Sequence, residues 1–470
     1  MSTTPFRLIT PAKASDYALV LPGISPASRK LAEDLLLKNH REHNIFFNEK
    51  GFHNHLTHHF LAAYSWGASP QRLQQIYDSH ASYQRQMPPL LKHELTRSNF
   101  QSDLGKREAY ASYLRLFSNE IENNGMIPTI RRYVFSGDML SRTLGGAFHP
   151  IIHLGYAVEF DLPGLAAEGL AMATCTEARF SQIPKLQSAQ DYKIPAPAAN
   201  AASTARDMMS QVTNEFASRV GFGNKDEKPK PIEKDDVGFD LQKALESNPI
   251  LKLANAIRED KELDGIVTYD NPNKFDATIQ SEVATKKVKE AAGKWTIQEN
   301  PAGVQQGLKD LYTAAMMMLG ASGIRGGDIK FDFFLMHALT SIHAIHTLLP
   351  HLTPREGVLL LQGHAIATLT YFISRGRPQL RVDEVLNYRQ EEKEASLENP
   401  WFDIFDRSIR AEEPHTIKVA RACALGQIIY GHDKFQASYE KAWLNVARMN
   451  LEVDGEWFFG GVGFDESWEK

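Results

Sequence analysis

Residues 351–378 read HLTPREGVLLLQGHAIATLTYFISRGRP, and this stretch decides the fold class. Thr353 is a good N-cap and Pro354 occupies the first helical position, where a missing N–H costs nothing. Some twenty largely apolar residues follow before Gly376 and Pro378 punctuate the end. Gln362 and His364 interrupt the apolar run, so it reads as a buried core helix and not as a membrane span.

The same signals recur outward from there. In GASPQRLQQIYDSHASYQ (67–84), Ser69 and Pro70 repeat the cap-and-proline start. KREAYASYLRLFSNEIENNG (106–125) carries apolar and aromatic residues at helical spacing, with Gly125 as the stop. Strand-like alternation is scarce, and VTYDNP (267–272) is at most a short extended piece. The expected fold is all-α, a large multi-helix body enclosing a deep central pocket. The texture changes between Ile183 and Leu241, where KIPAPAANAASTA (193–205) and FGNKDEKPKPIEKDD (222–236) are rich in Pro, Ala and mixed charge. This divides the chain into a helical half at 1–182, a linker or surface excursion at 183–241 with a helix near Thr204–Val220, and a second helical half at 242–470. The halves are expected to pack as one catalytic body.

Composition excludes several function classes. The net charge of −5 leaves no basic field for nucleic acid or an anionic membrane. Cys175 and Cys423 are the only cysteines, too few for a thiolate zinc site, and they fit a reducing compartment. The N-terminal MSTTPFRLITPAKASDYALV has no basic start followed by an apolar run, so the expected location is cytoplasmic. GxGxxG, GxxxxGK[ST], GxSxG and HExxH are all missing, which removes the usual dinucleotide, P-loop, hydrolase-elbow and zincin readings.

Histidine is the positive signal. Four of the 17 lie in FHNHLTHHF (52–60), at His53, His55, His58 and His59. Five more lie between His337 and His364. On a helix, His55 shares a face with His58 and His59; His343 pairs with His346 and His149 with His153 in the same way. A lone histidine on an apolar helix is usually a packed residue. Four imidazoles within seven positions, however, need compensating partners, which a polar cavity supplies. Imidazole exchanges protons near neutral pH and is the commonest metal ligand, so both a proton-transfer site and a mononuclear metal site are open. Asp138 in FSGDMLSRTLGG caps a helix or orients a histidine. Arg377 in ISRGRP bonds helix-end carbonyls or stabilises a phenolate or peroxide anion. His415 in EEPHTIKVARA caps the next helix or points into the site.

FHNHLTHHFLAAYSWGASPQRLQQIYD, HPIIHLGYAVEF, FFLMHALTSIHAIHTLLPHL and PHTIKVARA, in that order over residues 45–430, resemble the questin oxidase-like family. The resemblance implies a fungal enzyme of aromatic polyketide metabolism, oxidising anthraquinone-type compounds by Baeyer–Villiger-type insertion, in a helical fold without a flavin domain. It places weight on His58, His153, His337, His343 and His415. The resulting expectation is a cofactor-independent oxygenase with O2 as co-substrate and a reduced anthraquinone as substrate, prepared by an upstream reductase. His58, helped by Asp138, would act as base, and Arg377 would stabilise the anions. One alternative is an Fe(II) site built from His58, His153, His343 and His415. The other is a non-catalytic helical binding protein.

Overall fold

A computed structural model of the chain describes residues 5–9, 18–193, 247–388, 397–431 and 439–469. The expected helix near Thr204–Val220, and most of the 183–241 excursion, lie outside the described residues. Before residue 194 come α1 (Pro26–Glu42), α2 (Leu56–Ser65), α3 (Pro70–Ala81), α4 (Tyr110–Asn124), α5 (Met126–Val134), α6 (Met139–Thr143), α7 (His149–Glu159) and α8 (Pro163–Cys175). After residue 246 come α9 (Pro249–Glu259), α10 (Lys274–Gln280), α11 (Glu282–Lys294), α12 (Pro301–Ser322), α13 (Phe333–Leu348) and α14 (Pro354–Ser374). The last four are α15 (Val382–Leu386), α16 (Trp401–Arg410), α17 (Pro414–Tyr430) and α18 (Glu440–Val453). The fold is all-α. The strands among the described residues are β1 (Ile324–Arg325) and β2 (Asp328–Ile329), an antiparallel hairpin turned on Gly326 and Gly327, both at positive φ. VTYDNP forms turns and is not extended.

The caps behave as local chemistry requires. Ser69 accepts from the Arg72 N–H at the start of α3. Thr353 and Glu356 form a reciprocal capping box at the start of α14. The helix α4 stops at Gly125, which takes φ 85°.

Helices from both sides of the undescribed stretch build one core. α7 lies between α8 and α13, and α13 in turn packs on α12, α14 and α17. α13 (with the turn that follows it) and α14 are long and apolar enough to cross a membrane, but 78% and 83% of their most apolar windows are buried inside this fold. Met316, Met317 and Met318 of α12 are fully buried core residues.

The α7–α13 contact is close because Gly155 faces Ala344; a Cβ at Gly155 would stand 2.3 Å from the Ala344 Cβ and 2.6 Å from its Cα. Gly155→Ala should therefore destabilise the protein by about 1–3 kcal/mol through overpacking, outweighing the gain of about 1 kcal/mol in helix propensity. A lowered denaturation midpoint measures this; an unchanged midpoint would mean the two helices separate without cost.

Candidate active site

Four helix beginnings deliver one histidine each to a common point. His55 is the N-cap residue of α2, His149 the first residue of α7, His337 the fifth of α13 and His415 the second of α17. Their rings form a closed circuit, with centroid separations of 4.8 Å (His55–His149), 4.6 Å (His149–His337), 4.9 Å (His337–His415) and 4.6 Å (His415–His55). One ring nitrogen from each lies within 4.8 Å of all the others. All four residues are buried.

Local structure sets the ring nitrogens. His337 Nδ1 donates to the Phe333 carbonyl at 2.7 Å, one helical turn back. His149 Nδ1 donates to the Gly146 carbonyl at 2.7 Å. His415 Nδ1 donates to Glu413 Oε1 at 2.5 Å, while Glu413 Oε2 caps α17 by accepting from the His415 and Thr416 N–H groups. With Nδ1 spent as a donor, Nε2 of each neutral ring is a bare lone pair. Among the described residues His337 Nε2 and His415 Nε2 are buried without partners, and His149 Nε2 lies 2.8 Å from His55 Nε2. This is the outer-partner arrangement that orients metal-binding imidazoles. Burial, reinforced by neighbouring imidazoles, pushes His55, His149 and His337 well below the ordinary histidine range. Burial lowers His415 as well, against the raising pull of Glu413. Neutral, converging lone pairs in a dry site fit a divalent transition metal, since imidazole suits iron, copper, nickel and zinc.

The turn that presents His149 is strained. Gly146, Ala147 and Phe148 all take left-handed φ values of 54°, 50° and 63°, and two of the three carry a Cβ. The Ala147 N–H donates to Tyr371 Oη at 3.2 Å, which ties this turn to α14.

Two further groups flank the circuit. His58 Nε2 and His153 Nδ1 are 3.0 Å apart, and the His58 ring stacks on Tyr156 at 5.2 Å. A narrow cavity of about 10 Å3, room for one water, is lined by Tyr156, Glu159, His343, Lys418 and Arg421 among others. Lys418 Nζ is buried without a partner among the described residues, and burial lowers it to about 7. Arg421 is paired with Glu159 at 2.5 Å.

The sequence-derived candidates thus divide. His337 and His415 belong to the four-histidine circuit. His58 and His153 bond to each other beside it. His343 lines the neighbouring cavity, with both ring nitrogens unpartnered among the described residues. Of the expected iron set, only His415 is in the circuit; His55, His149 and His337 are the other members. Asp138 sits at the start of α6 but makes no side-chain cap bond, and it orients no histidine: its carboxylate takes a two-pronged bond from Arg142, at 2.9 and 3.0 Å. Arg377 stabilises no anion at the histidines. It reaches the end of α9, bonding the carbonyls of Ile257, Arg258 and Asp260 and the Asp264 carboxylate. Sequence reasoning passed over His55 and His149 in favour of their neighbours, and missed Glu413 and Lys418. The signal for these last two is the spacing in EPHTIK, a cap carboxylate two residues before His415 and an amine one turn after it.

The family model described as questin oxidase-like matches residues 52–423, a span that contains all four circuit histidines. The questin oxidase of Aspergillus fumigatus is 25% identical over 464 residues, covering 93% of this chain and 92% of that protein. Baeyer-Villiger oxidase mdpL of Emericella nidulans is 28% identical over 444 residues, covering 90% and 87%. Baeyer-Villiger oxidase ptaJ of Pestalotiopsis fici is 24% identical over 469 residues, covering 94% and 93%.

Since Asp138 is tied to Arg142 and not to the histidines, Asp138→Asn should leave turnover within about twofold of the unsubstituted protein, the size expected of a remote surface change. Steady-state oxygen uptake measures it, and a loss of a hundredfold would return Asp138 to the chemistry.

Proposed function

Because the chain belongs to the questin oxidase-like family and is an oxidoreductase, we propose that it uses O2 for a Baeyer–Villiger-type oxidation that opens the ring of an anthraquinone-class polyketide at the four-histidine circuit. The observation that carries this reading is the convergence of His55, His149, His337 and His415, with Nδ1 of three rings committed outward, Nε2 of His337 and His415 bare among the described residues, and Nε2 of His149 turned to His55. One oxygen atom enters the bond between a ring carbon and its carbonyl, and the other leaves as water. The two electrons required come from the substrate in its hydroquinone form, which calls for a reductase upstream.

The four neutral imidazoles suit Fe(II). Bound there, iron supplies the one-electron chemistry through which ground-state oxygen reacts with a closed-shell phenol. The protein's own groups do the rest. The Gly146 and Phe333 carbonyls and the Glu413 carboxylate hold three rings in place. The helix N-termini favour negative charge at the point they face, as on a phenolate oxygen. Phe333 stacks on Phe459 at 4.4 Å and lies against His337 at 4.4 Å, and Trp457 lies 5.8 Å from His415. These rings offer flat apolar surfaces to a planar substrate. Burial of the circuit keeps bulk water from the reactive species. The metal-free route uses the same substrate with a histidine as base. Arg377, its intended anion stabiliser, is bonded to α9, so the geometry favours the metal. Cys175 and Cys423, both free and buried, suit the reducing cytosol in which we place the enzyme.

Metal analysis and oxygen uptake with reduced hydroxyanthraquinones test the reading. About one iron per chain is expected, with uptake abolished by chelation and restored by Fe(II). His337→Ala should cut both metal content and turnover, the latter about 100-fold, the scale of a lost metal-site group. Labelled oxygen should appear once in the ring-opened product and once in water. Undiminished turnover by metal-stripped protein would remove the iron; no uptake with any member of the panel would remove the reaction.

A further inference from the structure

A line of hydrogen-bonded titratable groups runs from the surface of α1 to the edge of the circuit. His40 on α1 keeps 16% of its side chain exposed, and its Nδ1 lies 2.6 Å from Glu168 Oε1 on α8. Glu168 Oε2 lies 2.9 Å from His153 Nε2 on α7. His153 Nδ1 lies 3.0 Å from His58 Nε2 on α2. Beyond His40 every member is buried. At the inner end, His58 Nδ1 has no hydrogen-bond partner among the described residues. The His58 ring stands 6.2 Å from that of His55 and 6.4 Å from that of His149, centroid to centroid, and bonds to neither.

The carboxylate sets the direction of the whole line. Burial would raise Glu168, but its bonds from His153 and His40 hold it at about 2, so it only accepts. His153 therefore donates from Nε2 and accepts at Nδ1. His58 must then donate from Nε2, which leaves its Nδ1 lone pair free. Four groups from four helices, spaced as an unbroken series, are costly to bury unless every bond is made.

We propose that His40, Glu168, His153 and His58 form a proton relay between the four-histidine circuit and solvent. His58 takes a proton at Nδ1 and passes its Nε2 proton to His153 Nδ1. His153 passes its Nε2 proton to Glu168. Glu168, now neutral, gives up its charge on the side that faces His40 Nδ1, and His40 releases its outer Nε2 proton to water. One proton enters inside, one leaves outside, and the net charge of the line is unchanged. The relay rests on the proposed reaction only for its proton source, the substrate phenol. His40 touches neither substrate nor circuit; it is a positioning residue at the outer mouth.

His40→Ala tests this in the full-length enzyme loaded with iron. Turnover should fall about tenfold, the scale of a lost outer-shell partner, with KM and iron content unchanged. The solvent deuterium isotope effect should rise, and added imidazole should restore the rate by filling the vacated space. Glu168→Gln should be slowed without rescue. Wild-type turnover and isotope effect in His40→Ala would overturn the relay, as would a slowed variant that imidazole leaves slow. If the unsubstituted protein consumes no oxygen, the reaction fails instead, and the relay is judged by 15N-histidine NMR. Neutral Nε2–H forms of His58 and His153 that change in Glu168→Gln support it; an Nδ1–H form of either overturns it.

Discussion

The structure depends on committing one nitrogen of three of the four rings outward so that the other can face inward. An unpaired imidazole nitrogen in a dry interior is unfavourable. Here several are gathered within a few ångströms of one another, and the outer bonds determine which nitrogens they are. Those bonds come from backbone and caps: the carbonyl four residues before His337, the carbonyl three before His149, the cap carboxylate two before His415. Each lies in the first turn of a helix or just ahead of one, where the chain turns and such groups are available. The circuit is therefore a property of four helix beginnings, and the rest of the fold holds those beginnings together.

That requirement accounts for the tightest packing. α7 must bring His149 and α13 must bring His337 to adjacent positions, with rings 4.6 Å apart. Two helices this close need a small residue at the crossing, and Gly155 against Ala344 supplies it. The left-handed run at Gly146–Phe148 serves the same end. It folds the chain so that the Gly146 carbonyl meets His149 Nδ1, and the Tyr371 hydroxyl helps to hold it there. Strain stored next to a reactive site and held by its surroundings is a recurring use of such backbone.

How much of this was legible follows from range. Ser69, Thr353 and Gly125 were readable because caps and stops act within one turn of chain. The histidine segments were readable as segments, since four imidazoles in seven positions are hard to bury idly. Which member of each pair joins the circuit was not. His55 and His58 share a helical face, as do His149 and His153, and only the packing of α2 on α7 and α17 assigns His55 and His149 inward and the other two to a separate bond. Asp138 and Arg377 misled for the opposite reason. Each looked available in its own segment, while its partner was local for Asp138 and on a distant helix end for Arg377. The i,i+4 spacing of Asp138 and Arg142 was there to be read, whereas no spacing rule in a single sequence reports the partners of Arg377.

The charge distribution narrows what the site can accept. Glu159 is neutralised by Arg421, so it contributes no net charge. Glu413 stays ionised, held below the usual carboxylate range by His415 despite its burial. Against the Glu413 charge stand the positive ends of four helices, the Lys418 amine, which has no partner among the described residues, and, under the proposed reading, a divalent ion. The surplus is positive, in surroundings where little water is present to screen it. A neutral ketone would leave this field unanswered. A hydroxylated quinone or hydroquinone answers it by ionising a phenol, and the ionised ring is also the form that gives up an electron to oxygen. Under the proposed reading, the positive surplus at the circuit therefore favours the same ionised substrate state that the oxidation requires.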